Sequence, residues 1–241
     1  MRDVELCSMD YWFPLIQGLN IKQPKTMCLN TKNKVSFEEW YNWCEGTQSA
    51  KIIKVIEELE KLIKNNFNYP VFLRTDQFSG KHDWKRTCFI QNQNEVGEHL
   101  WNLVEANMMA GMFGELPINS LYVREYVEMD NLFTAFYGEL PINPEIRLFV
   151  RDGVLEEKFW YWIEDAIKNP SIENFNDILN LKEKESMAEL DDGFLNSLAF
   201  CIGQNLPGYW SVDLCRAKDG QWYLIDMALG ELSWHPIKRN H

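Results

Sequence analysis

Apolar positions recur at helical spacing in one long stretch of the chain and alternate with polar ones in several shorter stretches. Over residues 49–65, Ile52, Ile56, Leu59 and Ile63 form one stripe, while Glu57, Glu58, Glu60, Lys61 and Lys64 lie away from it. That spacing predicts an amphipathic helix whose charged run is a solvated face. Ser36 followed by Glu39 has the form of a capping box opening a short helix through Trp43; the rest of residues 1–48 reads as aromatic and irregular. Residues 95–111 and 185–205 suit further helices, the second ended by Pro207-Gly208. Strands are expected at 69–74, 87–91, 121–128, 145–151 and 154–163, with a polar loop at 75–84. In the last of these, Phe159, Tyr161 and Ile163 share one face, and Trp160 and Trp162 the other.

Two more alternating runs, 209–216 and 221–227, flank Asp219-Gly220. Asp-Gly between such runs signals a hairpin and favours a two-residue type I′ turn. With that turn, Asp213 lies directly opposite Asp226.

The formal charge is −12, from 36 acidic and 24 basic residues, which repels a nucleic-acid backbone. No nucleic-acid partner is expected. The six cysteines (Cys7, Cys28, Cys44, Cys88, Cys201, Cys215) show no C-x-x-C spacing, so reduced thiols are expected rather than zinc or disulfides. The first 20 residues lack a basic-then-apolar signal pattern, and no run approaches the roughly 18 apolar residues of a membrane span. A cytoplasmic protein without membrane contact is the expectation. The hexapeptide Gly-Glu-Leu-Pro-Ile-Asn at 114–119 and 138–143 is a pair of similar loop entries, too few copies for a repeat fold.

Chemistry concentrates in four segments. Two carboxylates opposed on one sheet face have Cβ atoms about 4.5–5.5 Å apart and repel one another. A shared proton, a neighbouring arginine, solvent exposure or a divalent cation can offset this; hard oxygen ligands suit magnesium, which borrows phosphate oxygens from substrate. The segment Leu73-Arg74-Thr75-Asp76-Gln77-Phe78-Ser79-Gly80-Lys81 runs from a strand into a small-residue loop with cationic ends. It has the ingredients of a phosphate cradle without being a Walker A motif, although an ordinary hairpin connection reads the same. In Val123-Arg124-Glu125-Tyr126-Val127-Glu128-Met129-Asp130, backbone groups at a strand end could meet an adenine edge, and the carboxylate beyond could meet a ribose. A plain core strand is the other reading. Glu145, Arg147 and Phe149 share one face of their strand, as a functional pair or as a surface ion pair of little energetic weight.

Taken in order, the Arg/Lys loop, the E-Y-V segment, the E-I-R strand and the D…D hairpin resemble the ATP-grasp superfamily. Pro24-Lys25-Thr26 is similar to the P-K-T that opens many of its members. The likeness spans about 71–230 and points to the small viral and bacterial branches; S-G-K-H-D-W also resembles the ATP-grasp chaperone of eukaryotic translation initiation factor assembly. The resemblance implies an α+β fold of two α/β lobes clamping a nucleotide. It implies a pre-ATP-grasp region at 1–66, a small lobe with hinge at 67–130 and a C-terminal lobe with the metal site at 131–241. The cofactors implied are ATP and Mg2+. Lys81 would contact the phosphates and Arg74 would stand at the first nucleotide-binding cation. Glu125, Tyr126 and Val127 would form the adenine hinge, and Asp130 would bind ribose. Arg147 would steady the transferring phosphoryl group, making Arg147 and Lys81 the catalytic pair, and Asp213 and Asp226 would hold magnesium. The implied activity is a carboxylate–amine ligase acting through an acyl phosphate; an ATP-binding assembly chaperone or protein-binding module, and a kinase, are the alternatives. Partners are ATP with a carboxylate acceptor and an amine, or a protein. One position departs from the pattern: Ala228 stands where the family has an asparagine ligand, so that either a single ion is held, or Glu231 or a water fills the gap, or activity is reduced.

Overall fold

A computed structural model describes residues 3–111 and 116–235. The first copy of the hexapeptide begins outside the described residues. The chain forms two compact units. One comprises 24–127 with 136–140, the other 1–23, 128–135 and 141–241. This differs from the three consecutive segments expected. Residues 24–66 join 67–127 because Thr26–Asn30 is a strand of the same sheet, and a pairing across some 90 residues leaves no local trace in sequence. The chain leaves the first unit for the other after Val127.

The first unit carries a four-stranded antiparallel sheet of order β1-β4-β2-β3. Its strands are β1 (Thr26–Asn30), β2 (Val71–Thr75), β3 (Phe89–Ile90) and β4 (Ser120–Glu125). Its helices are α3 (Phe37–Cys44), α4 (Ala50–Asn66) and α5 (Val96–Ala110). They follow α1 (Asp3–Cys7) and α2 (Met9–Ile16) of the other unit. The capping box forms as expected: Ser36 Oγ accepts the Glu39 amide and Glu39 accepts the Ser36 amide. The α4 stripe buries Ile52, Val55, Leu59 and Ile63 against Val71, Leu73, Leu121 and Val123, with Ile56 at the margin. Each strand therefore turns its other alternate residues, Phe72, Arg74, Tyr122 and Arg124, to the opposite sheet face.

The second unit carries the sheet β10-β9-β7-β8, also antiparallel. Its chain order is β5 (Phe133–Ala135), β6 (Leu140–Ile142), β7 (Glu145–Arg151), β8 (Val154–Trp160), α6 (Phe175–Glu189), α7 (Asp192–Asn205), β9 (Tyr209–Arg216) and β10 (Trp222–Leu229). The single helix expected at 185–205 is two. Asp191 caps the second by accepting the Phe194 amide at 2.9 Å, which breaks the run at Leu190. Ile146, Leu148, Val212 and Leu214 share the core face with α7 residues Leu195, Leu198 and Ile202. Gly203 of α7 lies so close to Gly153 that an added Cβ would stand 2.2 Å from the Gly153 Cα. None of the six cysteines is in a disulfide. Among the described residues no helix is long and apolar enough to cross a membrane.

Candidate functional site

The expected hairpin forms, and Asp213 pairs with Asp226, but by a different route. Trp222, Tyr223 and Leu224 pair with Arg216, Cys215 and Leu214, one residue out of step with a two-residue turn. The loop is Lys218-Asp219-Gly220, closed by the Ala217 amide on the Gln221 carbonyl, with Gly220 at φ +81°. That is the three-residue loop with a left-handed glycine at its end. A bulge at Ile225 then takes up one residue and restores the step, so Asp226 arrives opposite Asp213.

Cross-strand pairing puts Arg147 of β7 directly opposite Asp213 on the other side. Its guanidinium grips the carboxylate as a fork, Nε to Oδ1 and Nη2 to Oδ2, both at 2.7 Å. The partner expected on its own strand, Glu145, is not the one it grips. Nη1 donates to the Trp234 carbonyl at 3.3 Å, and the guanidinium lies 4.7 Å from the centre of the Tyr161 ring. The side chains are 13% and 7% exposed, so the pair is buried. Burial works against the charged arginine, but Asp213, with Tyr161 and Glu145, outweighs it and raises the pKa above its ordinary value. An arginine thus offsets much of the repulsion between the opposed carboxylates.

Asp226 is partly exposed, and its Oδ1 accepts the Met227 amide at 3.1 Å. Burial, followed by Asp3 and Asp226, raises the pKa of the Cys7 thiol against its bond to Leu229. Ala228 pairs with Ser211, whose hydroxyl lies 2.6 Å from the Ser233 hydroxyl. Glu231 lies 4.0 Å from Arg151, four residues along β7 from Arg147, and so is turned toward the far end of that strand. Among the described residues no group of three or more His, Cys, Asp or Glu is placed to hold a metal. Among the described residues Asp213 and Asp226 have no third carboxylate, histidine or cysteine placed with them, so a cation here would need phosphate oxygens and water to complete its shell. The fork on Asp213 does not exclude such an ion, since a carboxylate offers about four lone-pair sites.

In the other unit, Arg74 and Arg124 stand diagonally on one sheet face, each 5% exposed. Arg74 Nε donates to the Thr75 carbonyl and Arg124 Nε to Thr26 Oγ1. Lys81 opens a 3-10 turn after Gly80, at φ +64°. The loop before it is closed on itself: Thr75 Oγ1 accepts the Gln77 and Phe78 amides, and Thr87 Oγ1 donates to the Gly80 carbonyl. Those two amides are thereby committed within the loop. Glu125 accepts the Lys25 amide at 2.7 Å and so fixes the Pro24-Lys25-Thr26 segment beside β4. Tyr126 packs on Phe89 and Trp84, and Val127 is the last residue before the chain changes unit. Asp130, in the other unit, takes Arg216 Nη1 at 2.9 Å on Oδ2, while Arg216 Nε reaches Glu189.

Arg124, Tyr161, Ser211 and the Trp234 carbonyl are not among the groups expected at the site; the sequence suggests Trp234, beside His235, only as an aromatic wall of an acceptor pocket. Alternation already put Tyr161 on the Phe159 face, and Arg124 lies in a segment singled out. The other two depend on long-range pairing and leave no local signal.

Residues 58–239 match the ATP-grasp domain, R2K clade family 3. This chain belongs to that ATP-grasp family. The C-terminally truncated Cdc123 from Schizosaccharomyces pombe has the same fold: TM-score 0.58 at 16% identity, over 94% of this chain and 84% of that one. The D-alanine–D-alanine ligase from Bacillus anthracis, complexed with ATP, matches at TM-score 0.42 and 14% identity, over 92% of this chain and 53% of that one. For the VanG D-Ala:D-Ser ligase from Enterococcus faecalis the values are 0.44, 12%, 92% and 52%. At these identities the likeness concerns the ATP-grasp fold alone. No curated protein sequence matches the chain.

Proposed function

We propose that this ATP-grasp chain binds ATP with one magnesium ion and is a carboxylate–amine ligase. The observation that carries the reading is the Arg147 fork on Asp213 with Asp226 on the adjoining strand. A guanidinium held by a buried carboxylate is a preorganised cation, costing no reorganisation when phosphoryl charge develops beside it. In this scheme an acceptor carboxylate attacks the γ-phosphorus of ATP, giving an acyl phosphate and releasing ADP. An amine then attacks the acyl carbon, expels phosphate and loses a proton, leaving an amide. No protein nucleophile is required; the chain supplies position and neutralisation.

Arg147 meets the transferring phosphoryl group, and Asp213 orients Arg147. Asp213 and Asp226 would hold magnesium, which would neutralise phosphate oxygens. Lys81, Arg74 and, by its place beside Arg74, Arg124 serve as phosphate-binding cations. Glu125, Tyr126 and Val127 keep the adenine role, and Asp130 the ribose role, through the oxygen that Arg216 does not take. A cytoplasmic setting goes with the use of ATP and magnesium.

Ala228 favours a second reading, an ATP-binding module that grips a protein partner and turns over slowly. Thermal shift with ATP, ADP and GTP, with and without magnesium, tests the common part: stabilisation must require adenine nucleotide and magnesium together and vanish in Asp226→Asn. Product analysis separates the rest. ADP with free phosphate only in the presence of an amine supports the ligase, and tight binding without turnover supports the module. A phosphorylated acceptor would make the chain a kinase, and AMP with pyrophosphate would overturn the acyl-phosphate scheme.

A further inference from the structure

The second unit contains a recess of about 250 Å³ between the end of β8 and α6, lined by Phe159, the cross-strand partner of Arg147, as well as by residues beyond it. Trp160 pairs with Ile146, the neighbour of Arg147, so its indole belongs to the opposite sheet face from the carboxylate pair. Trp160, Trp162 and Leu179 wall the recess, and Glu164, Asn176 and Glu183 supply polar groups. None of the described residues lining it is Lys, Arg or His.

Two buried polar atoms there lack partners. Trp160 is 6% exposed and its Nε1–H has no acceptor among the described residues; Asn176 Oδ1 has no donor among them. The neighbouring Trp162 does donate, to the Asn143 carbonyl at 2.9 Å. The Asn176 Nδ2–H donates to Glu164, as an acceptor-only carboxylate requires, which leaves Oδ1 as the unpaired atom. A buried donor or acceptor left unmade is unfavourable, and both residues line the same recess.

We propose that this recess binds a basic amino-acid unit. Its cationic end lies against the two indoles and the Glu164 and Glu183 carboxylates, donating to Asn176 Oδ1. Its carboxylate or carbonyl oxygen accepts the Trp160 Nε1–H. The volume lies just under the lower end of drug-sized pockets, roughly 300 Å³, and suits one long side chain. Formal charge points the same way, with two carboxylates and no cation on the lining.

The test is calorimetric titration of the full chain without nucleotide or metal, so that its outcome is independent of the ATP reading. L-arginine should bind saturably and its neutral isostere L-citrulline at least about tenfold more weakly. Glu183→Gln, at an exposed position, should weaken arginine about three- to fivefold. Asn180→Trp, on the exposed rim, should abolish binding. A capped tripeptide with central arginine is the second arm: tighter binding than free arginine assigns the site to a protein side chain, and weaker binding to the free amino acid. Equal binding of citrulline, no effect of Glu183→Gln, or no saturation of either ligand at on the order of 10 mM overturns the proposal.

Discussion

Arg147 and Asp213 face each other across β7 and β9 and share two hydrogen bonds of 2.7 Å with little access to solvent. Removing one member leaves the other as a buried, uncompensated charge, which costs about 3–5 kcal/mol. Arg147→Met should lower the unfolding free energy by roughly that amount. Arg147→Met with Asp213→Leu should recover most of it, because the buried charge is gone as well. Urea denaturation of the wild type, both single variants and the double closes the cycle. A single-variant loss under about 0.5 kcal/mol would mean the fork is a solvated pair of no energetic consequence.

Two helical glycines make opposite predictions. A methyl at Gly203 would enter the Gly153 backbone at 2.2 Å, and neither element has a flexible end to yield. Gly203→Ala should therefore destabilise by about 3 kcal/mol. Gly97, in α5, would place its methyl 4.0 Å from Ile56 Cδ1, ordinary contact. Gly97→Ala should stabilise by about 0.5–1 kcal/mol through helix propensity and a less free unfolded chain. Melting temperatures that move the same way in both would contradict the close approach of α7 to the β7–β8 turn.

The fold was legible where pattern is local and lost where it is not. The α4 stripe, the Ser36–Glu39 box and the β7 strand each announce themselves within a few residues. The Asp213–Asp226 pairing that a two-residue turn implies is present through two offsetting departures: the loop has one residue more, and Ile225 bulges by one. Neither β1 nor its membership of the first sheet was visible, because a five-residue edge strand with largely exposed positions resembles a loop. Pro14 inside α2 hid that helix in the same way, by breaking the expected chemistry of a helix interior. For the candidate site, residue types were legible and partners were not. Arg147 chose Asp213 over Glu145, and Glu125 took a backbone amide, through contacts that only folding brings together.

His82 stacks on Phe136 with ring centres 4.8 Å apart, and burial, followed by the Lys81 charge, lowers its pKa below the ordinary 6.5. Below pH 6.5 the unfolded chain therefore binds more protons at this site than the folded one. Its contribution to stability is full above that pH and declines as pH falls through the lowered folded value. His82→Phe keeps the stacking and removes the titration. Urea midpoints at pH 7.5, 6.5 and 5.5 should fall more steeply on acidification in the wild type than in the variant. Parallel curves would show that His82 carries no such linkage.

Ala228 offers the sharpest test of the metal reading, because there a substitution should add function. It lies two residues beyond Asp226 on β10, hence on the same sheet face, and opposite Ser211. Asparagine at 228 would present an amide oxygen beside Asp226 where only a methyl stands now. If one ion is held by Asp213, Asp226 and nucleotide phosphates, Ala228→Asn should lower the magnesium concentration needed for the ATP-dependent thermal shift by about tenfold. Asp226→Asn in the same background should reverse the gain. A variant that folds normally yet shows the same magnesium requirement would remove this hairpin from the metal site.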